Sequence, residues 1–147
     1  MTTRTSKKRI GLVHGFRSGL EEQIASQLAA AGIKVEYEAL KIKYEKPARI
    51  SSYSPDFVLP NGIVVKSKGR YVTEDRQKHL LIKKQHPNID IRFVFSNSRS
   101  RISKQSSTTY ADWCLKNGFA FSDKRIPEAW LKEPANHASI EALRSMR

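Results

Sequence analysis

The run DFVLPNGIVVKSK, residues 56–68, leaves this chain few folding options. Two short stretches of β-branched and aromatic residues flank Pro60-Asn61-Gly62. Asn-Gly between such stretches is a strong local signal for an antiparallel hairpin. The loop decides the register. If Pro60-Asn61-Gly62 is a three-residue loop, Leu59 faces Ile63 and Asp56 faces Lys66. If Asn61-Gly62 is a two-residue turn, the register moves by one and Asp56 faces Ser67. In either case Lys66 and Lys68 share one face, because side chains alternate along a strand. In the first register Asp56, Lys66 and Lys68 form one polar cluster.

The rest of the chain supplies partners for that hairpin. Leu20, Ile24, Leu28 and Ala31 recur at helical spacing, which predicts a helix over roughly 19–31. Ser18 and Glu21 form a capping box at its start, and Gly32 suits a left-handed stop. Val35 and Tyr37 alternate with Glu36 and Glu38 as in a half-solvated strand. Pro47 and the serines that follow predict an irregular or edge segment. A second helix is expected from Thr73, as N-cap, to the stop at Pro87, with Glu74 and Asp75 at its positive end and Lys83 and Lys84 at the other. Residues 89–96 read as a buried strand, and the basic, serine-rich 97–107 as a loop. Thr108 or Thr109 caps a short helix ending at Gly118, Phe119-Ala120-Phe121 is a candidate last strand, and 126–134 holds one more helical turn. The order α, β, β, β, α, β predicts an α/β fold, a mixed sheet flanked by helices. One domain spans 1–147, with a flexible basic arm over 1–9 and a loose tail over 135–147.

Charge narrows the function. Lys and Arg total 27 against 14 Asp and Glu, a formal net charge of +13. Such a field draws polyanions, and nucleic acid is the expected partner. No run approaches the ~20 apolar residues of a membrane span, and no basic segment carries a long apolar face, so no membrane partner is expected. The N-terminus lacks the apolar core of a secretory signal. Cys114, the lone cysteine, fits a reducing cytosol and reads as a small buried hydrophobe. Trp113 and Trp130 read as core.

Phosphodiester hydrolysis needs a cation to polarise the phosphate and lower the pKa of water. Magnesium-like ions want clustered carboxylate oxygens, and a nearby lysine offsets charge in the transition state. Pro55-Asp56, nine residues, then Lys66-Ser67-Lys68 has that outline. Together with FRSGLE, GIKVEYE, SPDFVLPNGI, KSKG, DRQKHLLIKKQHP, DIRFVFS and IPEAWLKEP, it resembles the phage T-seven endonuclease I group of Holliday-junction resolvases, within the PD-(D/E)xK nucleases.

The resemblance implies a restriction-endonuclease-like αβββαβ core in a domain-swapped homodimer, with residues 44–54 as the bridge between subunits. It implies cleavage of four-way junctions and other branched DNA in the cytosol of a phage-infected bacterium. Glu21, Asp56 and Lys68 match catalytic positions, and Asp56 and position 66 match metal ligands for two Mg2+ or Mn2+ ions. Position 66 departs from the pattern, because Lys66 stands where the family has glutamate. The expectation is retained junction binding with impaired or absent cleavage. Arg17, Lys78, His79, Arg99, Arg101 and Lys104 are the expected DNA contacts. The alternative is a basic architectural DNA-binding protein without hydrolytic activity.

Overall fold

The computed structural model describes residues 19–46 and 49–147. The expected arm over 1–9, the Ser18 half of the capping box and Arg17 lie outside them. The first helix, α1 (Gly19–Ala30), buries Ile24 and Leu28. It ends near Gly32, whose φ of +70° is the left-handed conformation that glycine adopts without strain.

Five strands form a mixed sheet in the order β1-β4-β5-β6-β7. They are β1 (Glu36–Tyr37), β4 (Phe57–Val58), β5 (Ile63–Lys68), β6 (Asp90–Phe95) and β7 (Phe121–Asp123). β4 runs antiparallel to both of its neighbours, β1 and β5. β5, β6 and β7 are parallel, and α2 (Thr73–Gln85) and α3 (Tyr110–Asn117) make the two crossovers. Strand alternation gives the sheet two cores. Ile63 and Val65 face a cluster with Ile24, Leu28, Phe57, Ile126 and Trp130. Val64 faces the other, with Tyr71, Ile82, Phe93, Phe95 and Trp113. Both tryptophans are core, as read from the sequence.

The caps follow local chemistry. Thr109 and Asp112 form a reciprocal capping box on α3, and Gly118 closes it in the left-handed region. On α2 the expected N-cap is one residue off: Val72 takes that place, and the Thr73 hydroxyl accepts from Arg76 instead.

Three expectations need correction. The 44–54 stretch is regular: β2 (Ile42–Lys46) and β3 (Arg49–Tyr53) pair antiparallel, Ile42 against Tyr53. Alternation buries Ile42, Tyr44 and Tyr53 in the α2-side core, so the stretch is not irregular; its two strands form a sheet of their own and are edge strands, the other outcome that Pro47 and the serines allowed. The last strand begins at Phe121, because Phe119 is drawn into the core just after Gly118.

The tail over 135–147 is not loose. A helical turn, α4 (Glu128–Leu131), is followed by α5 (His137–Arg144), capped by Asn136. Leu143 is buried, and the Ser139 hydroxyl donates to Gly62 O at 2.6 Å and accepts from Asp90 N at 3.1 Å. Eight residues carry too short an apolar stripe to announce a helix, but these tertiary bonds hold it.

Candidate active site

The hairpin has the three-residue loop. Phe57 pairs with Val65 and Val58 with Val64, and Leu59 N donates to Ile63 O at 2.9 Å. Continuing that register sets Asp56 opposite Lys66. Pro55 has no N–H, so the ladder stops there, and the Asp56 side chain takes over. Its Oδ2 accepts from Ser67 N at 2.8 Å and Ser67 Oγ at 2.9 Å. Its Oδ1 pairs with Lys66 Nζ at 3.3 Å. The carboxylate is buried, so these bonds replace its lost hydration. Lys66 also donates to Ser54 O at 3.3 Å and lies 5.8 Å from the centre of the Tyr53 ring.

Two more carboxylates converge on Asp56. Ligand oxygens of Glu21, Glu38 and Asp56 all lie within 4.8 Å of one another. Glu21 comes from the first turn of α1, is buried, and accepts a hydrogen bond from the Tyr37 hydroxyl. Glu38 follows β1 with φ +49° and donates its N–H to Asp56 O at 3.2 Å. That left-handed turn costs a non-glycine residue about 1–2 kcal/mol, and it ends β1 beside Asp56. Three carboxylates this close repel, and hard oxygen donors in this number suit a divalent cation such as Mg2+ or Mn2+. Lys66 already supplies one positive charge against Asp56. The donor set therefore fits such an ion, with the ammonium as its competitor.

Lys68 shares the Lys66 face but reaches elsewhere. Its Nζ pairs with Asp75 at 2.9 Å, in the first turn of α2. The single cluster expected of Asp56, Lys66 and Lys68 is thus two adjoining ion pairs. Both are partly shielded, with the lysine side chains 21% and 22% exposed.

Of the expected DNA contacts, His79 is corrected. It is fully buried, not at the surface. Nδ1 bonds Asp75 O at 2.8 Å, Nε2 bonds the Tyr53 hydroxyl at 2.9 Å, and aromatic rings surround it. Burial drives its pKa down to about 3, so the ring is neutral and out of reach of phosphate. Lys78 is half-buried, and Arg99, Arg101 and Lys104 are exposed on their loop. Cys114 is buried, and burial pushes its thiol up to about 12, which removes thiolate chemistry.

Sequence reasoning missed Glu38, Tyr37, Ser67 and Asp75 as site residues. Glu38 had been placed on the solvated face of a strand, and only its left-handed turn brings it in. Ser67 was visible as the alternative partner of Asp56, and it binds Asp56 even in the register that sets Lys66 opposite.

Three carboxylates and a lysine gathered beside one strand end are consistent with the metal sites of nucleases that act on phosphodiesters. The comparisons narrow that class. The family model for Phage endonuclease I matches residues 1–147. Endonuclease I of Escherichia phage T7 is 50% identical over 137 residues, 93% of this chain and 92% of the relative. Endodeoxyribonuclease 1 of Enterobacteria phage T3 is 48% identical over 132 residues, 90% of this chain and 87% of the relative. This chain belongs to the phage endonuclease I family.

Proposed function

We propose that this protein is a structure-selective endodeoxyribonuclease acting on four-way junctions and branched DNA, with cleavage restrained by its own Lys66. The observation that carries the reading is the acidic group of Glu21, Glu38 and Asp56, with the Lys66 ammonium 3.3 Å from Asp56. Glu21, Glu38 and Asp56 would hold a Mg2+ or Mn2+ ion. When bound, such an ion polarises the phosphate and lowers the pKa of water. Lys68 stands two residues along the same strand face and offsets charge that builds on the phosphate in the transition state. Asp75 holds that lysine in place. Ser67 fixes one Asp56 oxygen and leaves the other facing Lys66.

The magnitude favours restraint. At ~4 Å and an effective dielectric of ~20, one pair of unit charges is worth about 4 kcal/mol. Solvent screening at these partly exposed lysines cuts that heavily. A quarter of it, doubled for a dication, still weakens cation binding by roughly 30-fold.

By the same reading the protein acts as a homodimer in the infected cell's cytosol, with residues 44–54 as the bridge between subunits, although within one chain β2 and β3 pair with each other. Ile50, 67% exposed on the β2–β3 hairpin, is an apolar group that a subunit contact would cover. Sedimentation of the full chain at twice its 16.8 kDa mass is the expected result.

The activity test compares the chain with Lys66→Glu on a labelled four-way junction, with and without Mg2+ or Mn2+. Lys66→Glu gains metal-dependent nicking of at least tenfold, and linear duplex stays uncut. Junction binding with no nicking by either form, in either metal, contradicts the reading and favours an architectural protein.

A further inference from the structure

The parallel strands β5, β6 and β7 end together, and each is followed by exposed cations. Arg70 follows β5, Arg99, Arg101 and Lys104 follow β6, and Lys124 and Arg125 follow β7. Among the described residues none of these six has an ion-pair partner, whereas Lys66, Lys68 and Arg92 all do. Two carboxylates at this end are already engaged. Asp123 accepts from Ser98 N at 2.6 Å and Ser98 Oγ at 2.8 Å, and Glu128 pairs with Lys132.

The three strand ends are tied into one rim. Ser96 N donates to Lys68 O at 3.2 Å, and Lys124 N donates to Phe95 O at 2.7 Å. The Ser98–Asp123 bonds fasten the basic loop to β7. The β7–α4 turn is closed by its own hydrogen bonds. Arg125 N donates to Asp123 O at 2.8 Å, and Ser122 Oγ donates to Arg125 O at 2.6 Å. Gln27 clasps Ile126 through both backbone groups, at 2.7 and 3.0 Å. Gln27 lies six residues beyond Glu21 on α1, about 9 Å along the axis, so the turn is anchored to the helix that bears a site carboxylate. Lys124 has φ +66°, where glycine or asparagine would sit without strain. The fold thus holds an exposed lysine and arginine on a hydrogen-bonded, strained turn, with no ion-pair partner among the described residues.

We propose that Lys124 and Arg125, with Arg70, form a phosphate-backbone contact that extends the Arg99–Lys104 loop into one track for a DNA duplex arm beside the cut site. This rests on the endonuclease reading and adds residues and a location to it. The contact reads backbone charge and not sequence. It makes affinity depend on salt, by release of one counter-ion per phosphate contacted.

The test is fluorescence anisotropy with a labelled four-way junction and a linear duplex, without divalent metal, across 50–200 mM salt. Lys124→Gly/Arg125→Gln removes both charges, and glycine suits the turn, so the fold is kept and is checked by thermal melting. Junction affinity is expected to fall about tenfold or more at the low-salt end, with a slope of log Kd against log salt shallower by about two for each protomer in contact with DNA. Arg70→Gln lowers the slope by about one for each such protomer. Lys84→Gln/Lys116→Gln, on exposed helix positions, serves as an equal-charge control with a smaller loss. An unchanged slope in Lys124→Gly/Arg125→Gln overturns the proposal, and so does an equal loss in the control. Failure of the parent chain to bind either DNA overturns the endonuclease reading instead.

Discussion

The two ends of β5 are built on different principles. At its start, the 60–62 loop is locked by neutral groups. Asn61 donates to Trp130 O at 2.9 Å, Asn136 N donates to Asn61 O at 2.8 Å, and the Ser139 hydroxyl bridges Gly62 and Asp90. These bonds all involve backbone groups and no charged side chain. At its far end, Lys66 and Lys68 are satisfied by Asp56 and Asp75, and three carboxylates crowd together. Those pairings are exchangeable, because a cation or a phosphate competes for the same charges. One end of the strand holds the fold, and on the proposed reading the other keeps charge for a ligand.

The largest effect that sharpens this contrast lies at the charged end. In a Lys66→Glu background, Asp56→Asn is expected to lower junction nicking at least a hundredfold while leaving junction affinity within a few-fold. Single-turnover cleavage and anisotropy measure the two. A matching loss of affinity would mean that Asp56 holds the fold and not the chemistry.

At the locked end the expected loss is of stability. Gly62 has φ +93°, and a Cβ there would lie 3.0 Å from both Asn136 O and Ile140 Cγ1. Gly62→Ala therefore costs roughly 2–3 kcal/mol in denaturant unfolding, with no change in salt-dependent DNA binding.

The pH dependence follows from His79. Its pKa is about 3 in the fold against about 6.5 when unfolded, so the unfolded chain binds the extra proton first as pH falls. Its contribution is complete above pH 6.5 and is lost between 6.5 and 3, at up to about 1.4 kcal/mol per pH unit. Thermal melts at pH 7, 5.5 and 4 should fall accordingly, and His79→Phe should flatten that slope.

The smallest effect concerns Tyr71. Its hydroxyl is buried with no hydrogen-bond partner among the described residues, so Tyr71→Phe is expected to be neutral or to stabilise by about 1 kcal/mol.

Much of this was legible in the sequence because it is local. The hairpin follows from Asn-Gly between β-rich runs, α1 from its stripe and Gly32, and α3 from Thr109 and Gly118. The Lys66–Asp56 pair followed from counting across one of the two registers. What escaped depends on distant contacts. Glu38 reaches the site through a left-handed turn that its neighbours do not announce. Lys68 finds Asp75 across a crossover, where helix-end chemistry had seemed a sufficient reason for an acid. His79 lies three residues before Ile82, on the buried face of α2, but its polar ring suggested a DNA contact, whereas Tyr53 and Phe93 close over it. The α5 helix is short, and Ser139 and Leu143 hold it to the rest of the fold.

The most direct measurement is Mn2+ affinity, by calorimetry or paramagnetic resonance, for the chain, for Lys66→Glu, and for Lys66→Glu with Glu38→Gln. Lys66→Glu should bind at least tenfold tighter than the chain, and Glu38→Gln should return much of that gain. Equal affinity in all three would contradict the account, because the ammonium beside Asp56 would then hold no cation out.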